Sequence, residues 1–552
     1  MEVMRIRNLM VLTIVVVLAL VVAACGDGPA AEAEVAISEP VTQETPAETP
    51  AETPAETDEP ADEVVEAGEA VIWMTMSESP ALDPAAENDA ATSDLTTQIL
   101  EGLMWYAPGN VLEPLLATHY EVLDGNLRYR FHLRQGVTFH DGEPFTADAV
   151  KISLDRVLEN DFPATFVIEM IDYIEVVDEH TVDIVLQFPF SPFTAHLTHQ
   201  VAFIQSPTAI AAGTNGTDPI GTGPFMFSYR VHGDYTRLTP NPNHWRATPA
   251  HDVIFRVIPD AATRVAMINT GEAHAFVGVA SMVHEFENMP HIDWWRIPTT
   301  SITYIGFNTD PDTRDGARDE IAAQALADSR VRRAITMAIN TEDILFGVQE
   351  GEGVIAVGPI RSGLVTHAPT DVPGLPFDPD AARELLAEAG FPDGFSMSIW
   401  TNYGNPVRAR MAELIQANLA AIGITLDIQI IEWGAYLEDT AAGLHDMFIL
   451  GWVTMTGDAD YGIYPLFHSN EIGGGNRSHF NNPQVDGLLE EARMSVDPAE
   501  RDRLYREVTE IMIYEAPMIF AFHPDAPAAT NGIDGLFVDF NSTPHFFNVT
   551  LR

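Results

Sequence analysis

The chain has 552 residues, 81 acidic against 28 basic side chains, a formal net charge of -53 and one cysteine. Phosphate recognition needs clustered Lys and Arg, and Lys151 is the only lysine, so a nucleic-acid partner is excluded. With Cys25 alone no disulfide can form within the chain, the length predicts more than one hydrophobic core, and so acidic a surface predicts that added salt stabilises the fold.

Arg5 and Arg7 precede an apolar run from Leu9 to Val22, followed by Val22-Ala23-Ala24-Cys25-Gly26. A basic start, a short apolar stretch and small residues before a cleavage point predict a secretory signal peptide over 1–24. The run is 14 residues long, short of the roughly 20 that a spanning helix needs. A buried helix or a short membrane anchor is the alternative. The Val-Ala-Ala-Cys sequence resembles a bacterial lipobox. That resemblance implies that Cys25 is lipidated, becomes the mature N-terminus and holds the chain on the outer face of the cytoplasmic membrane. From 25 to 70 hydrophobic periodicity is absent. The sequence Glu-Thr-Pro-Ala occurs three times, and fourteen acidic and no basic residues lie between Asp27 and Glu69. This composition predicts a disordered, extended tether reaching at most about 140 Å at ~3.1 Å per residue.

Val71-Ile72-Trp73-Met74 reads as the first strand of the folded part. Arg128 to Leu133 and Thr181 to Leu186 alternate apolar and polar residues, as half-buried strands do. Thr146 stands where a helix N-cap belongs, with Asp148 in the first turn. Asn405 and Pro406 open a second helix, whose apolar stripe is Met411, Leu414, Ile415, Leu419 and Ile422. Gly423 ends it, and Ile424, Leu426, Ile428 and Ile430 alternate along the strand that follows. Asp497-Pro498 opens a further helix with Leu504, Val508, Ile511 and Met512 inward. Helices feeding strands in this way predict an α/β fold.

The run from Tyr129 to Val150, with Phe139-His140-Asp141-Gly142 at its centre, resembles a signature of the family 5 solute-binding proteins of ABC importers, the peptide/nickel type. In the family's order follow Gly221-Thr222-Gly223-Pro224-Phe225, Asn241-Pro242-Asn243-His244-Trp245, Asp260 to Arg264 with Thr270-Gly271-Glu272, Phe307-Asn308-Thr309, Val331 to Ile335, and Phe377-Asp378-Pro379 to Gly390-Phe391. The resemblance implies a two-lobed α/β fold with an extra subdomain in lobe one and a ligand cleft between the lobes. Lobe one is expected over 71–299, lobe two over 300–521, and a return to lobe one over 522–552. It implies a monomeric binding protein that delivers oligopeptides, dipeptides or glutathione-like peptides to permease subunits, with no cofactor of its own.

The segment Leu450 to Tyr461 follows an apolar strand, at the kind of strand end where α/β folds place ligands. Peptide-binding relatives carry an aspartate three residues after the Gly-Trp pair, which holds the ligand's α-ammonium; here that place is Met455. The acids come later, at Asp458 and Asp460, and Thr-Gly-Asp-Ala-Asp-Tyr resembles glutathione-type members. Asp458 and Asp460 either meet an ammonium or shape the loop through Asx turns. Trp452 is either a stacking wall or core, and Tyr461 is placed to donate from an apolar wall. The second candidate segment holds Asn402 and Tyr403 before a helix N-terminus, where free N–H groups favour a carboxylate. The relatives' carboxylate-binding arginine falls near Asn402, which leaves Arg408 and Arg361 as cationic candidates.

Rival readings are a nickel-chelate or haem carrier, a hydrolytic enzyme on this scaffold, and an adhesin. No zinc-protease, nucleophile-elbow or phosphate-loop pattern occurs. His196 and His199 have a metal-like spacing, but their apolar neighbours favour a core or surface role.

Overall fold

The computed structural model describes residues 70–552, apart from 88, 161 and 313–315. The predicted signal peptide, Cys25 and all but the last residue of the predicted tether lie outside the described residues.

One twelve-stranded sheet runs through both lobes. In lobe one, Ala70–Thr75 pairs in parallel with Asp252–Val257, which continues antiparallel to Tyr235–Pro240 and Phe225–Val231. Side chains of Ala70–Thr75 alternate between two cores, as strand geometry requires. Val71 and Trp73 join Phe225, Phe255 and Phe546 on one face, and Ile72 and Met74 join Phe276 and Phe286 on the other. Lobe two repeats the arrangement around Ser301–Phe307 and Met447–Val453. Ile305, Phe307, Met447 and Ile449 face one core, and Tyr304, Phe448 and Leu450 face the other.

The strand Met518–Thr530 belongs to both lobes. Its first half pairs with Ser301–Phe307 and its second with Ala275–Val277 and Asp293–Pro298. At the crossing Thr299 Oγ1 donates to the Pro524 carbonyl at 2.7 Å and Thr300 is fully buried.

A separate four-stranded sheet, Ala117–Leu123 with Arg128–Leu133, Thr181–Leu186 and Ile171–Asp178, stands on lobe one over its own core of Phe131, Phe145, Phe190 and Phe193. The helix Ala147–Glu159 packs on it, as the Phe-His-Asp-Gly signature leads one to expect. Thr146 occupies the N-cap position, yet its side chain makes no cap bond. The Ala149 N–H is held by the Thr146 backbone carbonyl at 3.1 Å, and the Ala147 N–H by the Glu179 carbonyl of the adjoining hairpin at 2.9 Å.

The helix Pro406–Ala420 is capped by Asn405, whose side chain accepts from the Arg408 N–H, and it buries Met411, Ile415 and Leu419 as its stripe predicts. The strand Thr425–Ile431 departs from its pattern at Ile430, which is 57% exposed. This strand is the outer edge of the sheet; Leu426 is buried in one core, Ile428 packs against it and Ile431 against the other.

Candidate ligand-binding cleft

Met447–Val453 carries the chain out of lobe two's sheet toward lobe one. The turn that follows pivots on Gly457, with φ at 63°. A Cβ there would stand 2.8 Å from Tyr106 Oη and 3.1 Å from the Phe540 ring, so only glycine fits. The lobes meet at this turn. Tyr106 Oη donates to the Thr456 carbonyl at 2.6 Å, and Asn541 Nδ2 to the Met455 carbonyl at 3.0 Å. A second contact lies below, where the Ser191 N–H donates to the Arg493 carbonyl at 2.7 Å.

Between these contacts is a cavity of about 800 Å³. The extra subdomain supplies Phe166, Glu169, Phe188, Phe190 and His196; lobe two supplies Tyr304, Trp433, Trp452, Tyr461, Tyr464 and the glycine-rich segment from Asn470 to Arg477. Aromatic rings therefore recur on both sides of the wall. Trp452 Nε1 donates to the Tyr461 carbonyl at 2.8 Å, which fixes the two side by side, and Phe166 stacks on Tyr461 across the cleft at 6.2 Å.

Charged groups interrupt the aromatic wall. Asp460 accepts from Arg493 Nε at 2.8 Å and Nη2 at 3.1 Å. Burial alone would lower the Arg493 pKa, but Asp460 outweighs it and holds the group above its usual value. Glu471 is raised by burial and by Glu169, a like charge from the opposite lobe. Arg477 is lowered by burial. A site with these groups can hold a small zwitterion by its charges and its apolar body by stacking.

Residues 111–474 match the family described as bacterial extracellular solute-binding proteins, family 5 Middle. The chain belongs to that family. Among curated relatives, the glutathione-binding protein GsiB of Pectobacterium atrosepticum is 30% identical over 80% of this chain and 86% of its own length. The heme-binding protein A of Haemophilus influenzae is 31% identical over 81% and 84%. Among solved structures, HbpA2 from Haemophilus parasuis superposes with a TM-score of 0.78 at 28% identity, covering 88% of this chain and all of that one. DppA from Helicobacter pylori in complex with the peptide STSA gives 0.73 at 28% identity, covering 87% and 98%.

This family 5 protein brings some of the sequence-derived candidates together and separates others. Trp452, Asp460 and Tyr461 line the cavity. Asp458 does not: it is the N-cap of the helix Ala459–Phe467 and binds Arg501 through both oxygens, at 2.7 and 3.0 Å. Met455 faces a separate, smaller cavity of about 100 Å³ beside Tyr106 and Phe540. Asn402 accepts from Arg408 Nη1 at 2.7 Å, and the Arg408 guanidinium lies 5.6 Å from the centre of the Trp433 ring, behind the cavity wall. Tyr403 is 79% exposed and outside the cavity. Arg361 is at the crossing strands, where it pairs with Asp525 at 2.7 Å.

Sequence reasoning missed Tyr304, Trp433, Tyr464, Glu169, Glu471, Arg477 and Arg493. Only Arg477 carried a signal, as a scarce basic residue directly after Gly473-Gly474-Gly475-Asn476. His196 and His199 are buried: Val201 N–H donates to His199 Nδ1 at 3.2 Å, and His196 Nδ1 lies 2.8 Å from the Val167 carbonyl. Among the described residues no group of three or more His, Cys, Asp or Glu is placed to hold a metal, and no helix is long and apolar enough to cross a membrane.

Proposed function

We propose that this chain captures a small peptide of the glutathione type outside the cell and delivers it to the permease of an ABC importer. The observation that carries the reading is the cavity of about 800 Å³, walled by both lobes, with aromatic rings on both sides and charges of both signs. A solute that touches both lobes favours the closed form over the open one, and so couples occupancy to the shape a permease meets. Relatives named for glutathione binding support the choice of solute. On this reading Trp452 and Tyr461 stack against the solute, and Asp460 sets the charge of the wall through Arg493. Asn402 and Arg408 support Trp433, and Tyr403, Asp458 and Arg361 act outside the cavity. Cys25, lipidated, would hold the monomer at the membrane.

Haem is the second reading, favoured by the ring-rich wall and by the Haemophilus influenzae relative named for it.

The deciding experiment is a thermal-shift and calorimetric series with reduced glutathione, unmodified tri- to pentapeptides, haemin and nickel–histidine. Glutathione at about 100 times its dissociation constant should stabilise the fold by about 2.7 kcal/mol. A response to haemin alone would replace the peptide reading, and silence toward the whole series would remove both.

A further inference from the structure

Acidic side chains far outnumber basic ones in this chain, and most arginines of the described part are matched to a carboxylate. Three in lobe two are not: Arg333, whose guanidinium lies over the Tyr514 ring, and Arg408 and Arg477. Arg477 lines the cavity, and its Nη1 is held by the Leu437 carbonyl and by Thr440 Oγ1 at 2.8 Å. Its Nε and Nη2 have no protein acceptor among the described residues. Arg408 donates through Nη1 to Asn402 Oδ1, a neutral acceptor, and stacks on Trp433. Trp433, on which Arg408 packs, opens the helix Trp433–Ala441, and Leu437 and Thr440, which hold Arg477, belong to that same helix, so the two arginines share one element. Both arginine side chains are half-buried.

A half-buried cation loses hydration, and in a chain of net charge -53 carboxylates to offset that loss are plentiful everywhere else. The donors of Arg477 are fixed by backbone and hydroxyl contacts on one edge and open to the cavity on the other. That is the geometry of a guanidinium fork waiting for a planar anion.

We infer that Arg477, supported by Arg408, receives a carboxylate of the solute, so that the cleft selects peptides with a free carboxylate and seats that end against lobe two beside Trp433. The inference rests on the cleft being the solute site, as proposed above. Arg477 thus acts as a specificity-determining contact and Arg408 as a positioning residue that keeps Trp433 in place.

The test compares wild type with Arg477→Gln and Arg477→Lys by calorimetry. Probes are reduced glutathione, its diethyl ester with both carboxylates blocked, and tripeptides with free and amidated C termini. Wild type should prefer each free acid over its blocked form by about 10- to 100-fold. In Arg477→Gln that ratio should fall at least about tenfold, with Arg477→Lys between the two. Because Arg477 also braces Leu437 and Thr440, ligand-free melting is recorded for each variant, and only the ratio between acid and blocked form is read. A wild type indifferent to blocking, or an unchanged ratio in Arg477→Gln, overturns the inference. An Arg477-dependent preference among tripeptides that excludes glutathione leaves it standing and removes the glutathione reading. No binding to any acid of the panel removes both.

Discussion

Asp460 and Arg493 form a two-point ion pair in the wall of the cleft, with the carboxylate almost wholly buried. The sequence left Asp460 either to meet an ammonium or to shape the loop, and the structure matches it to Arg493 within lobe two. Asp460→Ala therefore strands a cation instead of simply deleting a contact. Its expected effect is a loss of roughly 3 kcal/mol in the ligand-free protein. The check is calorimetric melting of the apo variant; a melting temperature equal to wild type would mean that Arg493 finds hydration or another acid. The Asp458–Arg501 pair, more deeply buried, should behave the same way in Asp458→Ala, although that variant lies outside the cavity.

Acid should loosen the fold through its buried histidines. Burial holds His523 down to about 4 and His199 to about 3, below the usual imidazole value. The unfolded chain therefore binds these protons first. Their contribution is complete above about pH 6.5 and is lost as pH falls from there toward 4 and then 3. Melting temperature measured from pH 7.5 to 4 should fall, and His523→Gln should flatten the slope. A slope in the variant identical to wild type would exclude His523 as its source.

Arg361→Gln separates hinge from site. Arg361 binds Asp525 and the Pro524 carbonyl on the shared strand, away from the cavity. The variant should melt earlier, with a loss of about 1.5–3 kcal/mol for a charge-assisted bond, and retain glutathione affinity within about threefold. A tenfold loss of affinity with unchanged melting would return Arg361 to the ligand.

Gly457→Ala tests the contact between lobes. A left-handed φ costs alanine about 1–2 kcal/mol, and the added methyl meets Tyr106. Closure should weaken, seen as a larger radius of gyration in saturating solute and an affinity lower by about 5- to 30-fold. Scattering indistinguishable from wild type would show that the turn yields without parting the lobes.

What the sequence disclosed and what it hid divide along a physical line. The helix Pro406–Ala420 was legible because its cap, its proline and its stripe are local and repeat every turn. The end of Met447–Val453 was legible as an edge of the cavity because an apolar strand gives way there to a polar turn. Hidden were the partners. Asp458 meets Arg501 across 43 residues and Asp460 meets Arg493 across 33, and no local pattern distinguishes a matched acid from a free one. The aromatic wall was hidden for the same reason, since Phe166, Tyr304 and Trp433 are far apart in sequence and come together only in the folded chain.

The strand Met518–Thr530 bears on how the lobes would part on the proposed reading. It is hydrogen-bonded to neighbours in both lobes, and its pairing passes from Phe522 with Thr303 to Asp525 with Pro298 in three residues. Opening cannot be the swing of two bodies on slack cord. It is the twisting of a ribbon whose edges stay laced, so the range of motion is set by the torsion that this short span absorbs before its lacing breaks.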